Sequence, residues 1–142
     1  MKQQLLLFLL LFNSLFVMAD AEGKCGKNVT WTFTENNHSL IIQGTGDMYN
    51  YEDTYDWDTQ VFGSTAPYSK YSNDIQAVVI GPAITSIGNK AFFWLKNVTT
   101  VYISNSVTSI GDGAFEGCEN LASIRIPNSV SSIGNYGRFA PN

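Results

Sequence analysis

The sequence predicts a β-dominated α/β solenoid: a stack of about three 23-residue coils behind an N-terminal β cap. Three observations predict it. The dipeptide Ile-Gly recurs at 87–88, 110–111 and 133–134, each time 23 residues on. The same offset relates Val78, Val101 and Ile124, and again Ile80, Ile103 and Ile126, so apolar residues alternate with Val79, Tyr102 or Arg125 between them. The composition agrees. Charged residues are 14%, against about 25% in an ordinary domain, while 12 glycines and many β-branched residues favour strands and turns over helices.

Each part of the repeat follows from its residue pattern. Period-two alternation at 78–80 and its equivalents makes a strand with two side chains inward and one outward. Stacked copies form a parallel ladder. In "ITSI", "VTSI" and "VSSI" the apolar residues are three apart, so a bend is expected within a second extended piece. The following Gly is expected to supply a corner conformation. Ser86, Ser109 and Ser132 recur there, and their hydroxyls are expected to satisfy corner backbone groups. Ala91-Phe92 maps onto Ala114-Phe115, small residues for close approach and rings to stack between coils. A short outer helical turn is expected from there to Leu121.

The first 21 residues read as a secretory signal peptide: Lys2, an apolar run from Leu5 to Phe12, then small residues at Ala19 and Ala21. Cleavage is expected after Ala21, with Ala19 as the second choice. The apolar run is too short to span a bilayer, and no later segment is long and apolar enough. The mature chain is expected to be secreted, or held at the cell surface. In a eukaryotic secretory pathway the sequons at Asn28, Asn37 and Asn97 become N-glycosylation candidates. The compartment also permits a Cys25–Cys118 disulfide. However, Cys118 stands where the previous repeat has Leu95 and reads as a small buried hydrophobe.

Residues 22–75 form the expected cap segment and 76–142 the repeats, the last incomplete. "NVTWTFT" and "HSLIIQGTG" read as two strands about a polar turn, with Trp31, Phe33, Leu40 and Ile42 facing a core. They cover the first coil's open face, as a stack requires. A loop at 47–58 gathers Asp47, Glu52, Asp53, Asp56 and Asp58 among Tyr49, Tyr51, Tyr55 and Trp57. Its spacing is not that of an EF-hand. Its aromatics either pack on the cap or first coil, or form a glycan- or protein-binding surface.

"SVTSIGDGAFEGCENLASIRIPNSVSSIG" closely resembles the repeat of the BspA-like, Treponema-type leucine-rich repeat proteins of bacteria and protists. The resemblance runs from Val78 to about Gly134. "CGKNVTWTF", "LIIQGTGDMYNY" and "APYSKYSNDIQAVVIG" resemble the segment that often precedes such repeats. The resemblance implies a non-catalytic scaffold for adhesion to host proteins, cells or matrix.

The last repeat departs from the pattern. Gly137-Arg138 replaces Ala-Phe, and Phe139 comes one residue late. Three readings stand: Phe139 and Pro141 improvise a cap, the open edge self-associates, or the chain is a truncated relative of a longer protein. Chemistry is sparse. The one histidine, His38, falls in a polar turn, with no nucleophile motif and no zinc spacing. No catalytic residue, metal or cofactor is expected. A net charge of −4 with scattered Lys and Arg argues against nucleic acid. The candidate partner-binding residues are the outward Val79, Tyr102 and Arg125, with Tyr55 and Trp57 of the acidic loop. Binding of a protein is the first reading, a carbohydrate-binding loop the alternative.

Overall fold

Strand ladders, rather than helices, carry the chain. The computed structural model describes residues 19–135, which form eleven strands and one 3-10 turn at Ser69–Tyr71. The expected signal segment up to Met18, and Gly137, Arg138, Phe139 and Pro141, lie outside the described residues.

Alternation sets the first three strands. β1 (Ala21–Lys24), β2 (Val29–Thr34) and β3 (Ser39–Gly44) pair antiparallel in order. Val29, Trp31 and Phe33 of β2 and Leu40 and Ile42 of β3 are buried, while Thr30 is exposed. β1 was not expected from sequence. It reaches back to Asp20, whose N–H donates to the Phe33 carbonyl at 2.8 Å and whose carboxylate accepts from the Glu35 N–H at 2.5 Å. β3 then pairs parallel with β7 (Ala77–Ile80), and β7 with β9 (Thr100–Ile103). Leu40, Val78 and Val101 stand in register, as do Ile42, Ile80 and Ile103.

A second, all-parallel sheet runs in the order β11-β10-β8-β4. Its strands are β4 (Gly46–Asp47), β8 (Ile84–Ile87), β10 (Ser109–Ile110) and β11 (Ser132–Ile133). Ser86, Ser109 and Ser132 are aligned, so the 23-residue offset read from sequence is the register of the ladder. The expected bend takes the form of a bulge: one step from Gly46 to Asp47 on β4 spans Ile84 to Ser86 on β8. Ile84, Ile87 and Ile110 face the same core as Val78, Ile80, Val101 and Ile103.

Phe92 and Phe115 stack at 5.2 Å between ring centres, and Tyr68 continues the column at 5.8 Å from Phe92. Trp31 meets Tyr68 edge-on at 5.7 Å, joining the ring column to β2.

Four expectations are corrected. First, no helix forms after Ala-Phe. Successive turns close there instead, with N–H groups of Ala91, Phe93 and Leu95 donating three residues back. Left-handed backbone at Lys90 (φ 52°) and Trp94 (φ 62°) interrupts any helix, and the next repeat places Gly113 and Gly117 at these positions.

Second, the Ile-Gly glycines do not serve a left-handed corner, since neither Gly88 nor Gly111 has positive φ. A Cβ at Gly88 would collide with the Tyr49 carbonyl, at Gly111 with Asn89, and at Gly134 with Asp112. The glycines let one repeat's backbone lie against its neighbour.

Third, the hydroxyls that bind backbone stand one residue before the aligned serines. Thr108 Oγ1 donates to the Thr85 carbonyl at 3.1 Å and Ser131 Oγ to the Thr108 carbonyl at 3.3 Å. In the first repeat the same position, Thr85, donates its Oγ1 to Asp47 Oδ1 at 2.6 Å.

Fourth, the third repeat does not extend the first sheet. Among the described residues β9 is its edge, and Ala122–Ile126 makes no backbone hydrogen bond.

The corner holds a second device that the repeat pattern did not predict. Asn89, Asp112 and Asn135 follow the three glycines. The Asn89 N–H donates to Asn50 Oδ1 (2.9 Å), the Asp112 N–H to Asn89 Oδ1 (2.8 Å), and the Asn135 N–H to Asp112 Oδ1 (2.7 Å). Return bonds run from Tyr51 N–H to the Asn89 carbonyl and from Lys90 N–H to the Asp112 carbonyl. The corner is therefore a zipper of short acceptors laid over glycines. Gly88→Ala and Gly111→Ala are each expected to lower the unfolding free energy by about 2–3 kcal/mol, as overpacking does. Urea unfolding followed by circular dichroism checks this, and a change under about 0.5 kcal/mol would show that the corner has slack.

Candidate partner-binding surface

The acidic segment folds as a hairpin rather than a loop. β5 (Asp53–Asp56) and β6 (Val61–Ser64) pair antiparallel, with Tyr55 opposite Phe62. The turn is set by Asp56, whose Oδ1 accepts the N–H groups of Asp58 (2.9 Å) and Thr59 (3.3 Å). These bonds, led by one from the Thr59 side chain, hold the Asp56 carboxyl below its usual range. Gln60 closes the turn at φ 58°. At the other end Ser64 Oγ donates to the Lys90 carbonyl at 2.8 Å, clipping the hairpin to the turn after β8.

That clip aligns a strip of rings. Trp57 meets Tyr55 at 4.8 Å, Tyr55 meets Phe62 at 4.7 Å, Phe62 meets Trp94 at 4.9 Å and Trp94 meets Phe93 at 5.6 Å. Trp57 is 83% exposed, Val61 48% and Phe62 42%. Trp94 lies over Gly117, where any Cβ would collide with the indole. Lys96 Nζ sits 5.4 Å from the Trp94 ring centre and Lys90 Nζ 4.3 Å from that of Phe93. Lys90 also makes an ion pair with Glu116 at 2.9 Å.

The sequence candidates divide between two places. Tyr55 and Trp57 belong to the ring strip. Tyr51 instead is half-buried and meets Tyr68 edge-on, as the packing reading of this segment expected. Tyr102 is 61% exposed, and with the exposed Arg125 it lines an open cleft of about 610 Å³ between β9 and the 125–129 segment. Val79 stands beside Tyr102 in register but is half-buried and outside the cleft. Sequence reasoning missed Val61, Phe62 and Trp94. The available signal was Trp94, a large ring standing where the next repeat has Gly117.

Asn28 is exposed. Asn37 Oδ1 accepts the Thr34 hydroxyl and the Ser39 N–H, and Asn97 Nδ2 donates to the Asn73 carbonyl at 2.8 Å. Cys25 and Cys118 are free, buried thiols. Burial pushes each up to about 12, and Cys118 Sγ donates to the Phe92 carbonyl at 3.2 Å. The permitted disulfide is thus not formed, and Cys118 packs as Leu95 does. His38, read as a residue of a polar turn, is half-buried at φ 53°, and its carbonyl accepts the N–H groups of Gln76 and Ala77. Among the described residues no three His, Cys, Asp or Glu side chains converge as metal ligands. Among them, too, no helix is long and apolar enough to cross a membrane.

The ring column, the glycine corner and the 23-residue register recur from one repeat to the next, and over residues 65–140 the chain matches the family profile "BspA type Leucine rich repeat region (6 copies)". The chain belongs to the BspA-type leucine-rich repeat family. The match begins before Val78, at the segment that carries Tyr68. Among solved structures, a leucine-rich repeat protein from Eubacterium ventriosum is 28% identical, with a TM-score of 0.59. The alignment covers 80% of this BspA-type chain and 28% of that one, so the chain spans under a third of its relative's length. A leucine-rich repeat protein from Bacteroides capillosus is 20% identical over 85% of this chain and 93% of its own, with a TM-score of 0.48. The leucine-rich repeat protein of T. pallidum is 20% identical over 73% of this chain and 50% of its own, with a TM-score of 0.45. No protein of curated function shows significant similarity to the chain.

Proposed function

We propose that this chain is a secreted or surface-held, non-catalytic scaffold that binds a protein partner through the Trp57–Tyr55–Phe62–Trp94 strip. The observation that carries the reading is Trp57 at 83% exposure, at the tip of a hairpin fixed to the repeat by Ser64. Exposed Trp and Tyr anchors backed by other rings are what binding hot spots are made of. The ring planes weigh against the carbohydrate alternative. Neighbouring rings meet at 83°, 53° and 54°, so the strip offers no coplanar pair to a sugar face.

The rest of the architecture supports a scaffold. Two parallel ladders in a 23-residue register fit a short solenoid of about three coils, and β1–β3 extend one ladder as its cap. Adhesion to a host, matrix or cell-surface protein is the class of role this reading implies. Secretion, in this reading, follows cleavage after Ala19 rather than Ala21. The later cut would remove Asp20, with its bonds to Phe33 and Glu35, and Ala21, the first residue of β1.

Two measurements test the proposal. N-terminal sequencing of the secreted protein is expected to read Asp20 first, and a start at Glu22 would return the cut to Ala21. Mature protein is then offered to arrays of matrix proteins, cell-surface proteins and glycans. Trp57→Ala/Phe62→Ala is expected to weaken a protein hit at least about tenfold with the fold unchanged. A hit lost only in Tyr102→Ala/Arg125→Ala would move the surface to the cleft. Glycan binding lost in the Trp57 variant would favour the carbohydrate reading.

A further inference from the structure

We infer that the outer end of the strip takes a basic segment of the partner, an exposed peptide bearing several Lys or Arg side chains, seated on Trp57 between hairpin carboxylates. The inference rests on the strip being the binding surface and adds the partner's chemistry.

Charge complementarity is the first argument. Glu52, Asp53, Asp56 and Asp58 are all exposed on the hairpin, and residues 47–64 contain no Lys, Arg or His. None of these four carboxylates is ion-paired among the described residues, where the ion pair is Lys90–Glu116. The field over the hairpin is therefore uncompensated and attracts cations from solution. An anionic membrane or nucleic acid is repelled by it.

The second argument is independent of the acids. The inner end of the strip already shows which chemistry its rings hold. Lys96 lies over Trp94 and Lys90 over Phe93, both within the cation–π range of about 6 Å. At the outer end Trp57 touches Tyr55 and leaves most of its indole bare. Trp is the best of the three aromatic rings for a cation. The hairpin thus presents an indole suited to one cation, with carboxylates around it suited to several.

The spacing selects a peptide over a single ion. The acids are spread along β5 and its turn, and no three converge on one point. They suit separate cationic groups carried on one chain. Asp56 is partly committed to the turn through Oδ1, so its substitution must preserve that acceptor.

The test uses the mature chain and a fluorescein-labelled eight-residue peptide alternating Gly and Arg, read by anisotropy, with its Gly-Glu counterpart as control. The Gly-Arg probe is expected to bind and the Gly-Glu probe not to bind. Binding is expected to fall at least about tenfold in Trp57→Ala. It is expected to fall again in Asp56→Asn/Asp58→Asn, where the amide oxygen introduced at position 56 keeps the turn acceptor. It is also expected to weaken steeply from about 50 to about 300 mM salt. No binding of the Gly-Arg probe at low salt overturns the inference. So does binding that neither variant changes, since the probe would then sit elsewhere on an acidic protein. A protein partner that needs Trp57 but ignores the Asp substitutions and salt overturns the basic segment while leaving the strip as the binding surface. A partner indifferent to Trp57 overturns both.

Discussion

The structure depends on how closely one repeat can lie on the next where the chain turns a corner. Along the strands, ladder bonds hold neighbours about 4.8 Å apart. At a corner the strands end and only scattered backbone bonds cross, such as those from Gly111 N–H to the Ile87 carbonyl and from Gly134 N–H to the Ile110 carbonyl, yet the same spacing must be kept. Gly88, Gly111 and Gly134 allow it by having no Cβ to strike Tyr49, Asn89 and Asp112. Short side chains convert this closeness into bonds: Asn50 before the first repeat, then Asn89 and Asp112 after their glycines, each accept the N–H of the next repeat. Once the corner is fixed, the Phe92–Phe115 column and the aligned serines fall into place at the same offset.

The same corner determines what the protein displays. Directly after it the chain needs left-handed backbone twice per repeat. The second repeat meets that need with Gly113 and Gly117, the first with Lys90 and Trp94, at a cost of about 1–2 kcal/mol per residue. That cost places an indole over Gly117, and it places the Lys90 carbonyl where Ser64 can clip the hairpin. The proposed binding strip is thus built where the first repeat departs from its successor. A locally unfavourable choice with a surface consequence is where function is expected.

How much of this was legible depended on whether a residue's signal was its own or its neighbour's. Trp31, Phe33, Leu40 and Ile42 announced their strands because burial on one face leaves a period of two. The offset of 23 announced the register, since identical side chains align. β5 announced nothing. "DTYD" carries one apolar residue, and its partner strand is mostly exposed. The corner glycines were visible, but sequence cannot distinguish a glycine that needs positive φ from one that needs an absent Cβ. The Asn and Asp after them were visible too. Their role appears only when successive repeats lie side by side, because each serves the next repeat rather than its own. The unpaired 122–126 segment was hidden for the opposite reason: its residues fit the pattern, and only the three-dimensional structure shows that the pairing is missing.

Amide hydrogen exchange at Asp112 tests the corner most directly. Asp112 is exposed, and its N–H has one acceptor, Asn89 Oδ1. If the corner zipper holds neighbouring repeats together, this amide exchanges at least about 100-fold more slowly than an unprotected one. Asn89→Ala should then release it while the Ile110 amide stays protected. Exchange at the unprotected rate in the unaltered chain would contradict the account and leave the strand ladders alone to set the spacing.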